Sequence, residues 1–167
     1  MTPLGPFALF ALPETFAVDL DVVNQRYTDR MRELHPDRFV NRSAAERRVA
    51  QQWSSAVNRA FTILRSPIRR ATWLIEHRAP RIRVNGHQRM SPRFLLRQMQ
   101  WRRALEDAQT TPERLQKLRQ RAQDQLQAGV VQLRVLIDKE HNYEQAAELT
   151  RRLMFIEKFI ASLPEQK

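Results

Sequence analysis

The sequence predicts an all-α protein: an N-terminal helical hairpin with short flanking helices, then a C-terminal antiparallel three-helix bundle. Only 3 Gly and 9 Pro occur in 167 residues, and the prolines gather between periodic segments. Hardly any run alternates β-branched residues, so strands have little to form from. Apolar residues recur instead at steps of three and four, the spacing that lines one face of a helix. Hydrophobic residues make up 42% of the chain, enough to bury a core and to exclude a disordered class.

Taken in order, Pro6 to Leu12 reads as a first short helix. Asp19 has the chemistry of an N-cap for a second, whose stripe is Leu20, Val23, Tyr27, Met31 and Leu34. That helix must stop at His35, because Pro36 disfavours the α conformation in the residue before it and has no N–H to extend the ladder. Ser43-Ala44-Ala45-Glu46 has capping-box spacing and opens a third helix, with Ala50, Trp53, Val57, Ala60, Phe61 and Leu64 as its inner face. Ser66-Pro67 ends it and starts a short fourth helix, Ile68 to Glu76. Residues 1–77 thus form a first domain.

Residues 78–90 mix turn formers with scattered basic residues and read as a linker. The bundle, 91–167, follows, with helix starts at Ser91-Pro92, at Thr111-Pro112-Glu113 and at Asn142 after an interruption around His141. The middle helix would bury Leu115, Leu118, Ala122, Leu126, Leu133 and Ile137, with Gly129 a local weakness. The last would bury Ala146, Leu149, Leu153, Ile156, Ile160 and Leu163, a bundle seam.

With no cysteine in the chain, disulfides, thiolate catalysis and Cys-based metal ligation are excluded, and nothing suggests an oxidising compartment. Phe7 to Pro13 is too short to span a bilayer and lacks the marks of a signal peptide, which leads to the expectation of a cytoplasmic protein that does not enter membranes. The four histidines (35, 77, 87, 141) are scattered, and there is no glycine-rich phosphate cradle, nucleophile constellation or metal-ligand spacing. Neither an enzyme nor a cofactor or metal site is expected. A net charge of +11 raises nucleic acid as a partner. Residues 1–77 carry 11 Arg against 8 acids and 78–167 carry 18 Lys and Arg against 10 acids, so the excess is weighted to the second part. Much of it lies in Arg-Arg pairs at 47–48, 69–70, 102–103 and 151–152, without aromatic interleaving, which reads as solvated helix surface.

Two features are left unexplained by packing. The first is the loop Leu34-His35-Pro36-Asp37-Arg38-Phe39, where an imidazole and a carboxylate stand on a proline-stiffened turn, with Arg26 and Arg30 side by side on the helix leading into it. The second is apolar surface in the bundle. In the helix from Pro92, Phe94, Trp101, Leu105 and Ala108 make one burial face, while Leu95, Leu96 and Met99 form a second patch roughly 100–200° from Phe94. In the last helix Phe155 and Phe159 lie roughly 70–110° from the seam. Such clusters mark either a protein-binding surface or packing on the first domain.

The hairpin with its His-Pro-Asp loop, the Arg26/Arg30 face, and the later stretch Asn58-Arg59-Ala60-Phe61-Thr62-Ile63-Leu64-Arg65-Ser66-Pro67-Ile68-Arg69-Arg70-Ala71 resemble a J domain. Followed by a bundle carrying Phe94-Leu95-Leu96, Gln98-Met99 and Trp101-Arg102, the whole chain resembles the HscB co-chaperones of iron–sulfur cluster biosynthesis. The resemblance implies that Arg26, Arg30, His35, Pro36, Asp37 and Arg38 contact a specialised DnaK-type chaperone, HscA, and stimulate its ATPase. It also implies that Leu95, Leu96, Met99, Gln100, Arg103, Asp107 and Phe155 bind the iron–sulfur scaffold IscU. Where the family usually carries acidic residues near this patch, the chain has Arg97, Gln100 and Arg103, and only Glu106 and Asp107 keep the negative sign. A basic helical nucleic-acid-binding protein is the alternative.

Overall fold

Helix boundaries follow the capping chemistry in the computed structural model, which describes residues 4–85, 92–108 and 111–164. The chain divides into two units, Met1–Leu74 and Ile75–Lys167. The start signal at Ser91 and the remainder of the linker, 86–90, lie outside the described residues.

In the first unit α1 spans Pro6–Leu9, α2 Leu20–Glu33, a 3₁₀ turn Pro36–Phe39 and α3 Ala44–Arg65. Asp19 caps α2, its Oδ1 accepting from the N–H groups of Asp21 (2.9 Å) and Val22 (3.3 Å). The capping box at α3 is complete: Ser43 Oγ accepts from Glu46 N–H at 3.2 Å, and Glu46 Oε2 accepts from Ser43 N–H at 2.9 Å. The Ser43 hydroxyl, the Ser43 N–H and the nearby Arg42 together hold the Glu46 carboxyl below its ordinary pKa. α2 and α3 are clasped by Tyr27, whose ring stacks on Phe61 at 4.0 Å between centroids and whose hydroxyl donates to Asn58 Oδ1 at 2.8 Å. Phe7, Phe10, Phe16, Val23, Val57, Ala60 and Leu64 are buried around this hairpin.

Three expectations are corrected here. α1 ends at Leu9 rather than Leu12, because the chain reverses through Ala11 at φ 48°. A left-handed alanine costs about 1–2 kcal/mol. The Arg26 guanidinium offsets that by donating to the carbonyls of Phe10 and Ala11. Trp53, assigned to the inner face of α3, is 42% exposed. α1 covers the hairpin for a single turn only and leaves an opening of about 410 Å³ beside Leu34 that Trp53 lines. Arg70, counted with the solvated pairs, is buried. It donates to the Leu64 carbonyl at the end of α3 and lies 4.9 Å from the Phe16 ring centroid.

α4 runs Pro67–Arg78, slightly beyond the expected bounds. The described part of the linker is anchored, since Val84 is buried and its N–H donates to Glu76 Oε1 at 2.9 Å. The second unit then contains α5 (Pro92–Ala108), α6 (Pro112–Arg134), a π turn (Val135–Lys139) and α7 (Tyr143–Ser162). His141, at φ 51°, makes the reversal, and Asn142 caps α7 by accepting from Gln145 N–H at 3.2 Å. α6 and α7 run antiparallel: Arg119, near the start of α6, donates to the carbonyls of Leu163 and Pro164 at the end of α7.

Gly129 is a required close approach rather than a weakness. A Cβ there would stand 2.4 Å from Leu153 Cδ2 and 3.2 Å from its Cγ. Leu153 is fully buried on α7 and has little room to yield. Gly129→Ala gains about 1 kcal/mol of helix propensity but forces overpacking that costs about 1–3 kcal/mol. Denaturant titration is therefore expected to show a net loss of about 1 kcal/mol, and Leu153→Ala in the same chain should make the alanine harmless. A Gly129→Ala protein more stable than the parent contradicts this packing.

Candidate functional site

The His35-Pro36-Asp37 turn is built by two constraints acting on adjacent residues. α2 ends at Glu33, with Leu34 N–H still bonded to the Arg30 carbonyl at 3.1 Å. His35 is extended, at φ −59° and ψ 133°, as the residue before a proline must be. The chain then tightens into the 3₁₀ turn, where Arg38 N–H donates to the His35 carbonyl at 3.0 Å.

The imidazole caps this turn. His35 Nδ1 accepts from Asp37 N–H at 3.3 Å and stands 3.5 Å from Asp37 Oδ2. One nitrogen cannot use its lone pair on the amide and donate a proton to the carboxylate together. As acceptor, Nδ1 leaves the neutral ring's proton on Nε2. Both side chains face water, that of His35 58% exposed and that of Asp37 85%. Pro36 and Arg38 are exposed as well. The turn is thus a rigid projection carrying an imidazole, a carboxylate and a guanidinium. Beside it lies an apolar groove of about 650 Å³ lined by Met31, Leu34, His35, Pro36, Phe39 and Ala50, with Arg32 and Arg47 among its polar neighbours.

The two arginines leading into the turn have different surroundings. Arg26 is half-buried and bonded to the carbonyls at the end of α1. Arg30 is exposed and pairs with Glu33 at 3.2 Å. The sequence showed that both flank the stripe of α2, but the carbonyls that engage Arg26 come from a reversal it did not reveal.

The apolar surface of the bundle also divides. Phe159 is buried against Trp101, their rings meeting edge-on at 4.9 Å, and Phe155 is half-buried with its ring edge-on to Phe94 at 5.9 Å. Phe159 is therefore corrected from a surface residue to a core one. A helix in a three-helix bundle needs two apolar faces, one for each neighbour; the α7 seam serves α6, and the phenylalanines serve α5. Leu95, Leu96 and Met99 have no such service, and are 49%, 60% and 68% exposed. Gln100, Arg103 and Asp107 are exposed along the same helix. Phe155 meets Phe94, which stands roughly 100–200° around α5 from Leu95, Leu96 and Met99, so its ring belongs to the side of α5 that faces α7.

No helix among the described residues is long and apolar enough to cross a membrane. A family model described as the HSCB C-terminal oligomerisation domain matches residues 90–163. The chain is 36% identical over 157 residues to the co-chaperone protein HscB homolog of Bordetella avium, covering 94% of each. It is 39% identical over 154 residues to that of Cupriavidus taiwanensis, covering 91% of this chain and 87% of the relative. Among solved structures, chaperone HscB from Vibrio cholerae is similar with a TM-score of 0.84 at 25% identity, covering 96% of this chain and 95% of that one. Human co-chaperone HscB shares the fold with a TM-score of 0.89 at 20% identity, over 98% of this chain and 82% of that one.

The burial pattern separates two substitutions in the second unit. Leu96→Ala is expected to leave stability within about 0.5 kcal/mol of the parent, whereas Phe155→Ala should cost about 1–3 kcal/mol through the lost contact with Phe94. Thermal or chemical unfolding measures both, and equal losses contradict the assignment of Leu96 to open surface.

Proposed function

The chain belongs to the HscB family of co-chaperones, and from that premise we propose that it stimulates the ATPase of a specialised DnaK-type chaperone, HscA, and delivers the iron–sulfur scaffold IscU to it. In this reading residues 1–77 act as the J domain, 91–167 as the scaffold-binding domain, and the protein works in the cytoplasm on other proteins rather than on membranes or specific nucleic acid sequences.

The observation that carries the first half is the exposure of His35 and Asp37 on a turn that their own hydrogen bonds keep in shape. A side chain held by the fold but uncovered by it is available to a partner. Stimulation needs no chemistry from this chain. The turn contacts the chaperone's nucleotide-binding domain and adjacent linker more favourably in the conformation that hydrolyses ATP, and that difference in affinity shifts the chaperone toward it. Arg30 and Arg38 steer the encounter with an acidic face. Arg26 acts more through the carbonyls it holds beneath α2.

The second half rests on the uncovered Leu95, Leu96 and Met99 with the edge of Phe155, flanked by Gln100, Arg103 and Asp107. Apolar side chains ringed by polar ones have the composition of a protein-binding centre.

His35→Gln tests the reading. Steady-state ATPase of the DnaK-type partner should no longer rise with the mutant, while its circular dichroism and its binding to the scaffold match the parent. A mutant that stimulates as well as the parent removes the turn from the mechanism.

A further inference from the structure

A shallow concavity of about 290 Å³ lies between α5 and α6 in the second unit. Its floor is the buried faces of Trp101 and Leu118, and around it stand Arg97, Gln100, Arg121 and Gln125. The Arg121 guanidinium carbon is 5.9 Å from the centroid of the Trp101 ring, which orients the group above the floor. Among the described residues no Asp or Glu lines this concavity, and no acidic side chain pairs with Arg97 or Arg121. Two guanidinium groups and two amides therefore face a cavity that the fold itself supplies with no counter-charge.

Packing does not require this arrangement. Like charges across a groove oppose helix association, and a carboxylate at either position would relieve the repulsion. The concavity also adjoins the apolar patch. Leu96, Gln100 and Arg103 follow at steps of four and three along one side of α5, so Gln100 belongs both to that line and to the cavity wall.

We infer that the α5–α6 concavity receives a carboxylate side chain of the delivered scaffold, held between Arg97 and Arg121, while neighbouring apolar side chains of the same scaffold cover Leu96 and Met99. This rests on the delivery reading above and adds to it the charge of the partner: an acidic surface beside an apolar one. A guanidinium pair suits a carboxylate because each can offer two parallel N–H donors to its oxygens. A nucleic acid backbone would match the arginines but brings nothing to cover exposed leucine and methionine.

The test is calorimetric titration of the full-length protein with the iron–sulfur scaffold protein of the same organism, at low and at high salt. Arg97→Glu and Arg121→Glu, singly and together, are compared with the double replacement by lysine. The parent's affinity should fall as salt rises, the double reversal should weaken binding by about tenfold or more at low salt, and the lysine variant, which keeps the charge but loses the paired donors, should fall between the two. Arg97 is exposed, so its reversal is informative even where reversal of Arg121, with its ring contact, disturbs folding; circular dichroism separates the two. A parent that does not bind the scaffold overturns the delivery reading and this inference together. Scaffold binding indifferent to Arg97→Glu and to the double reversal in a folded protein overturns the inference alone. Short duplex DNA, titrated in parallel, should bind weakly; DNA bound as tightly as scaffold and lost on reversal assigns the concavity to phosphate and likewise overturns it.

Discussion

A proline three residues beyond α2, Pro36, governs the exposed turn of the first unit. Had the helix continued, His35 and Asp37 would have stood roughly 200° apart around it and could not have met. Pro36 forces His35 into extended backbone, the next residues close a 3₁₀ turn, and the imidazole folds back to cap the Asp37 amide. The capping box at Ser43 and Glu46 fixes the other side of the crossing, so little of the loop is left without local support. Rigidity matters because a partner that must be pushed between two conformations responds to the difference in binding free energy, and a floppy epitope loses part of that difference to its own ordering.

Holding the hairpin together takes contacts that look ordinary one at a time. Tyr27 stacked on Phe61 and bonded to Asn58 joins the helices. Arg26 and Arg70 tie carbonyls at the ends of neighbouring elements. In the second unit, Gly129 lets Leu153 approach α6, and the rings of Phe94, Phe155, Phe159 and Trp101 bring α5 onto α7. These choices leave Leu95, Leu96 and Met99 on the far side of α5, uncovered. The same packing that completes the core thereby sets out the surface on which cargo is proposed to sit.

What the sequence made legible was local. Asp19, Ser43 with Glu46, Pro36 and Asn142 act on backbone groups within a few residues, and the helix starts they imply are where the structure has them. The His35–Asp37 turn and the exposed leucines of α5 were legible for the same reason: each follows from a stop signal or from the period of one helix. Phe159, Trp53, Arg26, Arg70 and Gly129 were misread or missed because their surroundings depend on which neighbour covers which face. A helical wheel shows that Phe159 is off one seam, but not that a second helix supplies another. It shows Trp53 on the inner face, but not that an opening is left there between α1 and the hairpin.

The central claim is that the turn at His35 is the surface the chaperone touches. Backbone amide NMR of the full chain, recorded while the ATP-bound DnaK-type partner is added, tests it most directly. Signals of Arg30, Leu34, His35 and of Asp37 through Phe39 should shift or broaden first and most, with those of α6 and α7 unmoved at the same ratio. Perturbation confined to the bundle, with the His35 turn silent at saturation, contradicts the account.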